Sequence, residues 1–470
     1  MRDAFDAVIV GSGPNGLTAA ATLARAGRRV LVLEAADTIG GGTRTDEFFG
    51  AGIRTDTCSV VHPTGLVSPA FTDLCLSEHG LTWLTPEVSL AHVGALDTVG
   101  IHRGSASAAM ELGVDANRWR RLVQVPDPVG VAAQILSMPA APRRCLLRTA
   151  VFGAAAVLPV DVLVRGFATR RGASMFAGIA AHAGRPLSAA GSSAAGLLLG
   201  MLADTGWPVA EGGSQSVADA LVSVIVANGG QIETGCEVTD RGQLPTGCDL
   251  LFDTSPEVLM RLFADRLPRG YARALRRFAY GSGACKVDFV LSDPIPWSQR
   301  PDLMARTATF HLADDIAQIS RTESDVAAGR ITERPWVLGG EPTRIDPSRA
   351  PSRTHLAWAY CHVPAGCEVD VSDRIIAEIS RRAPGFRDTI KDVRVSTAAD
   401  LERHNANYVG GDINCGAASL TQLLARPVLS PTPQVTGIPG VYLCSSATAP
   451  GGGVHGMSGY RAARALLACE

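Results

Sequence analysis

The chain has 470 residues, 46% of them hydrophobic, and a mean hydropathy of +0.15; it holds enough apolar material for two or three domains, which excludes a disordered protein. Its 43 basic and 45 acidic side chains leave a net charge of −2, and no basic run is interleaved with aromatics, so nucleic acid is not an expected partner. The eleven cysteines include no C-x-x-C pair and the histidines are scattered, so neither a dithiol centre nor a metal site is expected.

Taken in order, Ala7-Val8-Ile9-Val10 reads as a strand, Gly11-Ser12-Gly13-Pro14-Asn15-Gly16 as a tight turn, and Leu17 to Ala26 as a helix. Such a turn needs glycines to fold back on the strand, to let the backbone approach a pyrophosphate, and to let the helix lie close to the sheet. Pro14 suits a first helical turn and Gly27 a helix end. A second strand, Arg29 to Leu33, ends on Glu34, about 20 residues past the glycines, where a carboxylate can accept hydrogen bonds from a ribose. The stretch reads as a dinucleotide cradle for an unphosphorylated ribose, as in NAD or FAD. Because the first apolar run is a strand rather than a signal peptide, a cytoplasmic location is expected.

Beyond Glu34, the glycines 40–42 followed by Arg44 and Thr45 could extend the phosphate site, with Arg44 meeting its charge. The region from about 66 to 204 reads as mostly helical. Its apolar stretches, Val129 to Ala140, Cys145 to Val164 and Leu187 to Leu202, are interrupted by Pro139, Arg148, Pro159 and Asp161 or are rich in Gly and Ser. None is a clean run of about 20 apolar residues, so core helices are expected, with a cavity wall or a membrane-surface contact as the alternative. Next come a helix from Val217 to Ala227 with Ser216 as N-cap, a strand from Gln231 to Val238, and a strand from Asp249 to Asp253 that stops at Thr254-Ser255-Pro256. Ala284 to Leu291 reads as a strand, Ala357 to His362 as a parallel or neighbouring one, and Ile375 to Arg382 as a helix that Pro384 breaks. The chain closes on strand, glycine loop and helix again, from Gly440 to Ala468. Gly451 to Gly456 repeat the G-x-G-x-x-G spacing, but too few residues remain for an acidic partner, so this is not a second NAD site.

Together, the first glycine turn with Glu34, the Gly-rich cluster ending Arg44-Thr45, Thr57 to Pro63, Glu211 to Gln215, Asn407 to Asn414 and Gly451 to Met457 resemble the FAD-dependent oxidoreductases of the phytoene desaturase and amine oxidase superfamily. Within it, the chain resembles a branch related to the pyridine nucleotide-disulphide oxidoreductase domain-containing proteins, over nearly its whole length. The resemblance implies an α/β fold: a Rossmann-type FAD-binding domain of the glutathione reductase and amine oxidase kind (1–65, 205–265 and 400–470), interleaved with an α+β substrate domain (66–204 and 266–399). It implies noncovalent FAD, held by Gly11, Gly13, Pro14, Asn15, Gly16, Glu34, Ala35, Gly41, Gly42, Arg44 and Thr45, with Val238 near the adenine. It also implies that Ser446, Gly453, Val454, His455 and Met457 face the flavin, where a helix N-terminus stabilises negative charge on the reduced ring.

The expected activity is oxidation, desaturation or isomerisation of a hydrophobic small molecule by hydride transfer to flavin N5, with oxygen or a quinone as electron acceptor and peripheral membrane contact as an option. Lys286, one of only two lysines, is the first catalytic candidate, because a buried lysine shifts its pKa readily; His455 and His62 follow, and Tyr408, Asp412 and Asn414 are candidate pocket residues. Two alternatives stay open: a flavin amine oxidase, and a non-catalytic carrier of a lipophilic ligand. The lack of C-x-x-C argues against disulphide chemistry, and the short, aromatic-poor middle region argues against a carotenoid.

Overall fold

The computed structural model describes residues 5–104, 110–125, 127–138 and 152–469; Pro139, Cys145 and Arg148 of the apolar stretches lie outside the described residues. A five-stranded parallel sheet runs in the order Val441–Leu443, Asp249–Phe252, Ala7–Val10, Val30–Leu33 and Gln231–Glu233. Its inner strands are continuous apolar runs because both faces are covered. Ile9, Val30 and Val32 pack under helices Pro14–Arg25, Gln215–Ala227 and Met457–Leu467, whereas Val8, Val10, Leu31 and Leu33 pack on Pro256–Phe263 and Arg269–Arg276. The first and last helices touch backbone to backbone: a Cβ on Gly459 would lie 1.7 Å from the Asn15 carbonyl, so only glycine allows this approach.

The second sheet has seven strands in the order Ile390–Ser396, Gly283–Leu291, His355–Val363, Val337–Gly340, Thr307–Leu312, Val88–Val93 and Thr98–His102. All neighbours are antiparallel except Thr307–Leu312 and Val88–Val93. One face packs against Arg170–Ala181 and Ser193–Leu202, the other against Ser372–Arg382.

Three expectations change. The region 66–204 is not mostly helical at its start, since Val88–Val93 and Thr98–His102 extend the second sheet; all six residues of Val88–Val93 are buried, so the strand lacks the alternation that would mark it. The strand from Gln231 ends at Glu233, because Gly235 turns the chain at φ +67° and the Cys236 amide donates to the Glu34 carbonyl. Ser216 is not an N-cap: the helix starts at Gln215, and the Ser216 hydroxyl donates to the Glu211 carbonyl at 2.6 Å. Of the two options for the strand at Ala357 to His362 the neighbouring one holds, since His355–Val363 pairs antiparallel with Gly283–Leu291. No helix among the described residues is long and apolar enough to cross a membrane.

Candidate functional site

The glycine turn closes over a residue that sequence reading passed by. Gly11 is left-handed at φ +99°, and a Cβ on it would lie 2.6 Å from the Asp253 carbonyl. Asp253 follows strand Asp249–Phe252, and its Oδ2 accepts the Gly16 N–H at 2.8 Å; a Cβ on Gly13 would come within 2.6 Å of that oxygen. Burial pushes the Asp253 carboxyl up to about 7, with the Glu34 charge adding to the rise against the Gly16 and Gly13 amides. The only sequence signal was position, an acid at the carboxyl end of a parallel strand, where open α/β sheets gather their ligand groups.

Glu34 is engaged by the cradle itself. One carboxylate oxygen accepts the Ser12 amide at 2.8 Å and its hydroxyl at 2.5 Å; the other accepts the Ala36 amide at 2.9 Å and Arg44 Nη2 at 3.3 Å. Arg44 also donates to the Thr38 and His404 carbonyls, so its charge is partnered within the protein rather than waiting for a phosphate. Asn15 donates to Ser446 Oγ at 3.3 Å, tying the first glycine loop to the last, while its Oδ1 is buried with no partner. Gly42 makes room for Tyr408, whose hydroxyl would otherwise lie 1.8 Å from a Cβ there.

These loops open on one cavity of about 1230 Å³, larger than the roughly 300–1,000 Å³ of an ordinary ligand pocket. Gly11, Gly13, Pro14, Asn15, Glu34, Ala35, Gly41, Gly42, Arg44, Val238, Ser446, Gly453 and Val454 line it, with Tyr408 and Asn414. Val60, Val61, Ala194, Leu198, Leu199, Trp207, Leu338, Trp358 and Tyr360 form an apolar chamber continuous with the cradle. Gly16, Thr45, Met457 and Asp412 do not line it. Gly16 serves the turn, Thr45 Oγ1 donates to Asp56 at 2.6 Å, and the Met457 amide donates to His455 Nδ1 at 3.1 Å. The Asp412 carboxylate accepts the Gly281, Asn414 and Gly416 amides.

None of the three catalytic candidates lines the cavity. Lys286 is buried, bonded to the Asp288 carboxylate and, at 3.0 Å, to the Asp56 carbonyl; Asp56 is in turn paired with Arg349 at 2.5 Å. Its charge is neutralised inside a buried network that ties the second sheet to Asp56 and Arg349. His62 Nε2 meets Ser214 Oγ at 2.8 Å, and burial pushes the ring down to about 4. His455 is likewise held at about 4 by burial, against the opposing pull of the Gly452 and Gly451 backbone. Sequence reading also missed Arg426, a buried cavity residue that donates to the Ser446 carbonyl at 2.7 Å and the Cys415 carbonyl at 3.1 Å and so braces the last loop. His182 was missed as well; it lines the chamber beside Trp207.

The fold pairs a Rossmann-type parallel sheet with a second, mixed sheet, and residues 9–75 match the sequence profile of the NAD(P)-binding Rossmann-like domain. Along almost the whole chain, the protein is similar to the pyridine nucleotide-disulfide oxidoreductase domain-containing protein 2 of Rattus norvegicus, at 26% identity covering 99% of this chain and 94% of the rat protein. Among solved structures, an oxidoreductase from Methanosarcina mazei shares the fold with a TM-score of 0.67 at 16% identity, covering 98% of this chain and 99% of that one. Cyclohexylamine oxidase from Brevibacterium oxydans shares it at 0.60 and 15% identity, covering 99% and 98%.

Proposed function

We propose that the protein is an FAD-dependent oxidoreductase that oxidises, desaturates or isomerises a hydrophobic small molecule. The observation that carries this reading is continuity: the glycine cradle and the apolar chamber share one cavity, so a dinucleotide and a lipophilic substrate can meet in it. The residues fit such a cofactor, with Gly11, Gly13, Gly41 and Gly42 lining the cradle and Asn15 Oδ1 left without a partner beside it. Gly11, Gly13, Glu34, Arg44 and Val238 would hold the dinucleotide, and Ser446, Gly453 and Val454 would border its flavin end. Bound there, FAD would supply a two-electron acceptor, with oxygen or a quinone as the terminal oxidant. The chain itself binds and orients the substrate and keeps water away from it, through Val60, Leu198, Leu338 and Trp358. Exposed Leu423, Leu424 and Leu429 (44%, 64% and 85% accessible) rim the same cavity, as suits a substrate delivered from a lipid surface.

A second reading, amine oxidation, is favoured by Trp358 and Tyr360, whose stacked rings (6.2 Å between centroids, 16° apart) line the chamber and could receive an amine. The deciding experiment is the spectrum of the purified protein followed by anaerobic mixing with lipophilic ketones, alcohols, alkenes and amines in liposomes. Bleaching of a flavin that denaturation releases is expected. Protein that stays colourless after incubation with FAD defeats the enzyme reading and leaves the carrier.

A further inference from the structure

His182 and His311 form a pair that neither the cradle nor the sheet requires. His182 caps the end of helix Arg170–Ala181 and lines the chamber; His311, on strand Thr307–Leu312, is fully buried behind it. Their Nε2 atoms are 3.0 Å apart, so one ring donates a proton and the other accepts it. Burial holds both rings neutral, pushing His182 down to about 3 and His311 well below its ordinary value.

The other nitrogen of His311 decides the direction. His311 Nδ1 has no partner, and the helix backbone is so close that a Cβ on Gly178 would come within 2.8 Å of it. A proton there would be a buried donor with nothing to bond, which folded proteins avoid more strictly than a bare acceptor. His311 therefore keeps its proton on Nε2 and donates to His182, and neutral His182 carries its own on Nδ1. That N–H bonds to no described residue. Thr309, two residues before His311 and so on the same strand face, also lines the chamber; it is 1% exposed and its Oγ1 is unpartnered.

We infer that His182 and Thr309 form a subsite for a single neutral carbonyl oxygen, so that the substrate class is a lipophilic ketone or enone. The inference rests on the reading of the chamber as a lipophilic substrate site. It runs against ammonium ions, because His182 presents a donor that they cannot accept, and against carboxylates, because two neutral rings do not balance a buried charge.

The test is binding to the purified protein of four probes with closely matched two-ring skeletons: bicyclohexyl, 4-cyclohexylcyclohexanone, 4-cyclohexylcyclohexanecarboxylate and dicyclohexylammonium. Quenching of tryptophan fluorescence reports it, since Trp207 and Trp358 line the chamber. The ketone should bind about five- to tenfold more tightly than the hydrocarbon, the worth of one hydrogen bond, and both ions more weakly than either. His182→Leu should erase the ketone preference while keeping hydrocarbon affinity; His182→Gln, which retains an N–H donor, should keep part of it. Should His182→Leu fail to fold, Thr309→Val must lower the preference in its place. A ketone preference unchanged in the folded variants, tighter binding of either ion by wild type, or no binding of any probe overturns the inference. Failure of the flavin reading is told apart by the flavin spectrum, because the fluorescence readout needs no bound flavin.

Discussion

Gly13→Ala tests how the cradle closes. Gly13 has φ −67° and ψ 171°, which any residue adopts, so alanine adds no backbone strain and its whole cost is space. The new Cβ would sit 2.6 Å from Asp253 Oδ2, whereas ordinary contact begins at 3.4 Å. The carboxylate must retreat by most of an ångström, which breaks the 2.8 Å bond from the Gly16 amide. Overpacking of this kind costs about 1–3 kcal/mol, and a lost hydrogen bond to a buried carboxyl about 1–3 kcal/mol more, so a loss of about 2–6 kcal/mol is expected, with weakened flavin binding. Asp253→Ala removes the obstacle while incurring its own loss at Gly16. The double variant should therefore be about 1–3 kcal/mol better than the sum of the single losses. Urea midpoints by circular dichroism and flavin titration by fluorescence quenching measure both quantities in all four proteins. Additivity within about 0.5 kcal/mol, or a Gly13→Ala protein as stable as wild type, would refute the proposed contact.

Asp253, raised to about 7, binds a proton in the folded protein that the unfolded chain releases near 3.8; its contribution to stability is present at low pH and is lost as pH rises from about 4 to about 7. Asp253→Asn should flatten that part of the urea midpoint's pH profile, and an unchanged profile would mean that the group titrates elsewhere. Lys286→Met leaves the Asp288 carboxylate buried without its cation and should cost about 3–5 kcal/mol, most of it recovered in Lys286→Met/Asp288→Leu. A variant of native stability with selectively slow flavin reduction in stopped flow would instead return Lys286 to the chemistry. Glu34→Ala removes the acceptor of four hydrogen bonds within the cradle and should lower FAD affinity by about 100-fold or more; retention of flavin through gel filtration at wild-type level would contradict this.

The cradle was legible in sequence because its parts are local: strand, glycine turn, helix, strand and acid fall within residues 7–34, and each is dictated by near neighbours and backbone sterics. Sequence by itself also identified the last glycine loop and the core strands Gly283–Leu291 and His355–Val363, whose apolar runs need no partner to be seen. It misjudged side chains whose role depends on residues far along the chain. Lys286 looks like a candidate catalyst as a rare lysine on a strand, yet Asp56, 230 residues away, and Asp288 on the same strand face absorb its charge. Asp253 reaches Gly16 across 237 residues, and His182 reaches His311 across 129. Periodicity reports which face of an element is buried; only the packing of distant elements decides whether a buried polar group is matched, crowded or left open toward a cavity.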